Sequence, residues 1–117
     1  MKYLFMTMIA LAGLCASAAD LNCYAQREWL DNNGNLQKEA HEIPVLGKYP
    51  GLVKLELDLE DSFYSINDFE GSQTTLSIVF PPNYTVGTVV RTTITSGQTA
   101  VVNSVNGSNV YKLTCRR

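Results

Sequence analysis

Cysteine, histidine and carboxylate are the residue types in this chain whose placement could carry chemistry. Cys23 and Cys115 lie 92 residues apart, and no C-x-x-C pair occurs anywhere. Thiolate metal sites need ligands at short spacing, and the single histidine, His41, supplies no companion. Two distant cysteines of an exported chain pair with each other, so a Cys23–Cys115 disulfide is predicted. His41 sits within Glu39-Ala40-His41-Glu42, where an imidazole between carboxylates has the makings of a general base. No nucleophile signature such as G-x-S-x-G accompanies it, and Glu39, His41 and Ile43 share a parity on a polar segment. The expectation is a surface histidine and a protein that is not an enzyme.

The acids Asp58, Glu60 and Asp61, with Asp68 and Glu70 one hairpin later, offer oxygens of the kind calcium takes. Their spacing matches no EF-hand loop, and alternating acids on a strand are ordinarily its solvated face. Calcium is therefore the alternative to a reading with no metal and no cofactor. Aromatic residues are the more suggestive set. Phe63 and Tyr64 are consecutive, so in a strand they point to opposite faces and one of them is outside. Tyr49 and Phe69 fall in predicted turns. Exposed rings at loop tips are common binding anchors, which makes Tyr49 and Phe69 the candidate binding residues and Trp29 a candidate neighbour. The competing expectation is that these rings fold back and plug the ends of the fold.

Residues 1–19 read as an export leader. Lys2 gives the positive start, Leu4 to Leu14 the apolar stretch, and Cys15-Ala16-Ser17-Ala18-Ala19 a small-residue cleavage region. That stretch is shorter than the ~20 apolar residues a membrane span needs, and Leu14 before Cys15 is the wrong residue for a lipoprotein leader. The expected product is a single β domain over residues 20–117, secreted or periplasmic, with no membrane span after cleavage. The nine basic residues lose Lys2 with the leader, against eleven carboxylates. A mildly acidic domain whose only basic cluster is Lys112, Arg116 and Arg117 excludes the phosphate-backbone footprint of a nucleic-acid binder. Asn83-Tyr84-Thr85 and Asn106-Gly107-Ser108 are formal glycosylation sequons, meaningful only in a eukaryotic secretory pathway.

The elements that must position these residues are strands. Helical periodicity is nearly absent, whereas period-two alternation recurs. Val53, Leu55, Leu57 and Leu59 alternate with Lys54, Glu56, Asp58 and Glu60. Thr74, Leu76, Ile78 and Phe80 repeat the pattern, and Tyr84, Val86, Val90 and Ile94 share a parity. The predicted core is Val53, Leu55, Leu57, Leu59, Leu76, Ile78, Val86, Val90, Ile94 and Leu113. Turn residues divide the chain into about eight short strands, near 24–30, 35–43, 52–59, 62–66, 73–80, 84–94, 98–105 and 109–115. Asn106-Gly107 is the clearest hairpin, and Gly47 to Gly51 is expected to be a turn.

Short connections favour an antiparallel meander. With an even number of strands, the first and last run antiparallel, and closing the sheet brings Cys23 beside Cys115. The predicted fold is all-β, a closed or nearly closed barrel with disulfide-linked terminal strands; a two-sheet sandwich is the alternative. A small barrel filled by its own side chains has little lumen. The expected function is thus an exported, non-catalytic module that binds a protein or cell-envelope component, with a small-ligand or calcium carrier as the alternative. Oligomeric state is not legible.

Overall fold

Residue alternation decides which side of each strand is dry, and the structure follows it closely. A computed structural model describes residues 20–70 and 72–117; the expected leader and Cys15 lie outside the described residues. Nine strands form among the described residues: β1 (Asn22–Leu30), β2 (Leu36–Glu42), β3 (Val45–Tyr49), β4 (Leu52–Leu59), β5 (Ser62–Phe69), β6 (Thr74–Phe80), β7 (Val86–Thr92), β8 (Thr99–Asn106) and β9 (Asn109–Arg116). They build two antiparallel sheets, β2-β1-β9-β8 and β3-β4-β5-β6-β7. The spatial order is that of a meander wound into a barrel, opened along two seams, β2/β3 and β7/β8. The closed barrel is therefore corrected to a two-sheet arrangement, in which the sandwich alternative fits.

The first seam has a local cause. Ile43 still donates its N–H to the Cys23 carbonyl of β1, at 2.9 Å, while the Pro44 carbonyl accepts from the Glu56 N–H of β4, at 3.3 Å. The strand thus switches sheets between these two residues, a corner of the kind that sandwiches make by bending a strand. Pro44 has no N–H with which to extend a ladder, and a register shift between Val45 and Gly47 marks the entry into the second sheet. At the second seam no ladder joins β7 to β8; the Thr88 hydroxyl instead donates to the Ser104 hydroxyl at 3.0 Å.

The terminal staple is where the spacing places it. Cys23 and Cys115 face each other in the β1/β9 register and are joined by a disulfide. That bond is consistent with an oxidising, extracytoplasmic location. Around it the inner faces interdigitate. Cys23 and Ala25 of β1, Val102 of β8, and Tyr111, Leu113 and Cys115 of β9 meet Leu55, Tyr64, Ile66, Leu76, Ile78 and Phe80 of the five-stranded sheet. The Phe80 and Tyr111 rings close the gap between sheets at a centroid distance of 4.8 Å.

Two parts of the predicted core differ. Val53, Leu57 and Leu59 are only partly buried, because β4 lies toward the open β2/β3 side. Val86 and Val90 pair with Phe80 and Leu76 and so face inward, yet they are 64% and 36% exposed. They sit on the edge strand β7, which meets the opposite sheet through Thr88 and Ser104 but shares no ladder with it. The parity is right and the burial is not. Gly47 to Gly51, expected as a turn, is mostly strand β3; only Pro50-Gly51 turns, with φ of +77° at Gly51.

Candidate functional site

At the end of the fold remote from the disulfide, the β1–β2 hairpin and the tight β4–β5 turn bring charges together. The Arg27 guanidinium reaches across from β1 to Asp61 at 2.7 Å and to Glu39 of the neighbouring β2 at 2.7 Å. Its carbon lies 4.2 Å from the centre of the Trp29 ring. The Tyr111 hydroxyl donates to the same Asp61 carboxylate at 2.8 Å, and Ser62 adds a longer bond from its hydroxyl. Burial alone would raise the Asp61 carboxyl, but the bonds from Arg27, Tyr111 and Ser62 and the Arg27 charge outweigh it and hold its pKa below the usual value. Tyr111 and Tyr64 are pushed up, first by burial. Arg27 and Tyr111 both bond the Asp61 carboxylate, although the buried Arg27 Nε has no partner, and the cluster reads as a clamp between sheets.

The disulfide end carries a second clamp. Asp68, almost fully buried, accepts from the Thr74 hydroxyl at 2.9 Å and from the Arg117 guanidinium at 2.7 Å, while Arg117 Nε donates to the Ile94 carbonyl at 2.6 Å. Asp58, Glu60 and Asp61 therefore lie at one end of the sheet and Asp68 and Glu70 at the other. The five acids nominated for calcium do not converge, and two of them are held by arginines. No group of three metal-ligating side chains occurs among the described residues. His41 is part-exposed on the edge strand β2, with Nε2 3.4 Å from Glu39. Among the described residues, no serine, threonine or cysteine nucleophile shares that pairing.

The candidate aromatics land on the outside. Tyr49 pairs with Leu52, and Leu52 pairs with Phe69; directly opposed residues of an antiparallel ladder share a face. The three form one row across β3, β4 and β5 on the outer face of the five-stranded sheet. Tyr49 is 53% exposed and Phe69 43%, so neither ring plugs the fold. The Tyr49 ring lies over Gly47, where a methyl group would sit 2.8 Å from the Tyr49 hydroxyl and 3.1 Å from its ring. Beside Phe69 a depression of about 280 Å³ is bounded by Ser72, Thr93, Thr95 and Arg117. Trp29 is not a neighbour of this row: it lies at the opposite end of the fold, under Arg27.

The same face has a second aromatic feature, a groove of which the sequence offered only the Phe63-Tyr64 step. Asp58, Phe63, Val79 and Gly87 form one lateral row across β4 to β7. Tyr84, from the β6–β7 loop, meets Phe63 edge to face at 6.2 Å. Tyr84 holds φ of +58°, a conformation that bulky residues rarely adopt. The consecutive Phe63 and Tyr64 do split, with Tyr64 fully buried and Phe63 on this outer face. The signal for the groove was the Phe63-Tyr64 step itself; what the step lacks is any hint that Tyr84 is its partner.

No family model, curated protein or solved structure matches this chain. The functional reading rests on the geometry above.

Proposed function

We propose that this protein is an exported, non-catalytic binding module that recognises a protein or cell-envelope component through the outer face of its five-stranded sheet. The observation that carries the reading is the outer-face row Tyr49–Leu52–Phe69, in which two exposed rings flank a half-buried leucine. Rings held on strands offer apolar contact area at small entropic cost, which is what anchors at interfaces do. Two further features support it. The groups best suited to acid–base work, Asp61 and Asp68, are bound to Arg27 and Arg117, and the space between the sheets is filled by Tyr64, Ile78, Phe80 and Tyr111, which favours recognition on the surface over carriage inside.

The test is capture by the immobilised, oxidised protein from an envelope extract of its source. A parallel arm uses the Tyr49→Ala/Phe69→Ala variant. A component retained by the unaltered protein and lost by the variant, at unchanged melting temperature, supports the reading. Equal retention by both, or loss accompanied by a drop in melting temperature, counts against it.

A further inference from the structure

We infer that the groove formed by Asp58, Phe63, Val79 and Tyr84 is a subsite for a basic side chain, arginine foremost, presented by a protein partner. It lies on the proposed binding face but does not depend on Tyr49 or Phe69, which are at the other end. The groove measures about 350 Å³, at the small end of the ~300–1,000 Å³ range of ligand pockets, and so suits one long side chain. Its walls are two rings, Phe63 and the 47% exposed Tyr84, set edge to face. One rim is the Asp58 carboxylate, directly opposite Phe63 in the ladder. Gly87 ends the row without a side chain: a Cβ there would strike the Ile78 carbonyl and come 2.8 Å from the Val79 Cα. Close approach of β7 to β6 thus leaves Val79 uncovered.

Charge selects the occupant. Asp58 and its outward neighbour Glu56 have no ion-pair partner among the described residues, whereas the basic residues of this face, Lys54 on β4 and Arg91 on β7, lie two rows away. A cation over an aromatic face is attracted by the ring quadrupole, and a guanidinium can stack on a ring while forking a carboxylate. The protein uses that combination internally, where Arg27 rests on Trp29 and pairs with Asp61. The outer groove presents the same two groups, a ring and a carboxylate, to solvent. An uncharged glycan would use the rings but gain little from an unpaired carboxylate.

Amide chemical shifts of the isotope-labelled, oxidised protein test this, with three probes: acetyl-Gly-Arg-Gly-amide, its citrulline counterpart, and a neutral trisaccharide of N-acetylglucosamine. The arginine peptide should give saturable shifts centred on Phe63, Val79, Tyr84 and Gly87, with the citrulline peptide at least about threefold weaker. Asp58→Asn, which keeps the shape, and Tyr84→Ala should each weaken the arginine peptide by a similar factor, and the unperturbed remainder of the spectrum reports that both variants fold. Tyr49→Ala/Phe69→Ala should leave this titration unchanged, so the subsite can fail while the proposed function stands, and the reverse. Equal binding of arginine and citrulline, shifts centred elsewhere, a response to the trisaccharide alone, or no saturable shift would each overturn the proposal.

Discussion

Asp61 shows how single residues hold this fold together and how pH reaches them. Its pKa is held below the ordinary carboxylate value, so it contributes stability that is complete above the unfolded value of ~3.9 and is lost as pH falls through the lowered one. Asp31, bonded by the Asn35 and Asn33 amides in the β1–β2 hairpin, shifts the same way. Tyr64 and Tyr111 are raised, so their contribution is complete below ~10 and is lost as pH climbs through the raised values. Urea midpoints should therefore be flat between these ranges and fall at both ends. Asp61→Asn should cost about 1 kcal/mol near neutrality, a modest value because the pair is part-exposed, and should flatten the acid limb. An unchanged acid limb would remove Asp61 from its cause. The clamp was not legible beforehand. Asp61 and its partners are 34 and 50 residues apart, and no local spacing encodes which sheet end an acid will meet.

Elements were more readable, because alternation is a local property. The run 52–59 is strand β4 with the same bounds, and the hairpin expected at Asn106-Gly107 forms, its two-residue loop being Gly107-Ser108 with Gly107 taking the positive φ of +67° that the first position needs. Strand β3 was missed because Pro44, Gly47 and Pro50 crowd it with turn residues and leave no alternation to count. Burial on the edges was missed too, since parity tells which way a side chain points and not whether anything lies opposite. Two substitutions separate these cases. Ile78→Ala, fully buried at the centre of β6, should cost about 2 to 5 kcal/mol, whereas Val86→Ala on the edge should stay within about 0.5 kcal/mol. Comparable losses in denaturant titrations would mean that the β7 edge is covered. The seams also differ in character. β2 and β3 carry Lys38, Glu39, Glu42 and Lys48 with Pro44 at the corner, which are features that discourage strand addition, while β8 has no charged residue.

The whole molecule is a meander whose ends are stapled and whose sheet is split. Parity argued for an even number of runs, yet nine strands are described. The discrepancy resolves at Ile43-Pro44, where β2 bends into β3 and the two act as one run crossing from sheet to sheet. That bend, invisible to periodicity, is where the chain passes from one sheet to the other. The disulfide spans the sequence almost end to end, so reducing it should lower stability by about 2 to 4 kcal/mol, read as a shift in the denaturation midpoint with and without reductant; coincident curves would contradict a stabilising staple. Amide hydrogen exchange should be slowest in β5, β6, β9 and β1, each paired on both sides, and fast along the β7 and β8 edges. Uniform protection across β7 and β8 would show a sheet closed at that seam.

The binding function proposed above belongs to the outer face of the five-stranded sheet. The most direct measurement is the affinity of the captured envelope component for the unaltered protein and for Phe69→Ala, alongside both melting temperatures. A loss of more than about 1 kcal/mol of binding, roughly a fivefold weaker Kd or more, with the same melting temperature, is the result expected of an anchor on a rigid face. An unchanged Kd, or a Kd that weakens only as the melting temperature falls, would contradict the claim that this face binds.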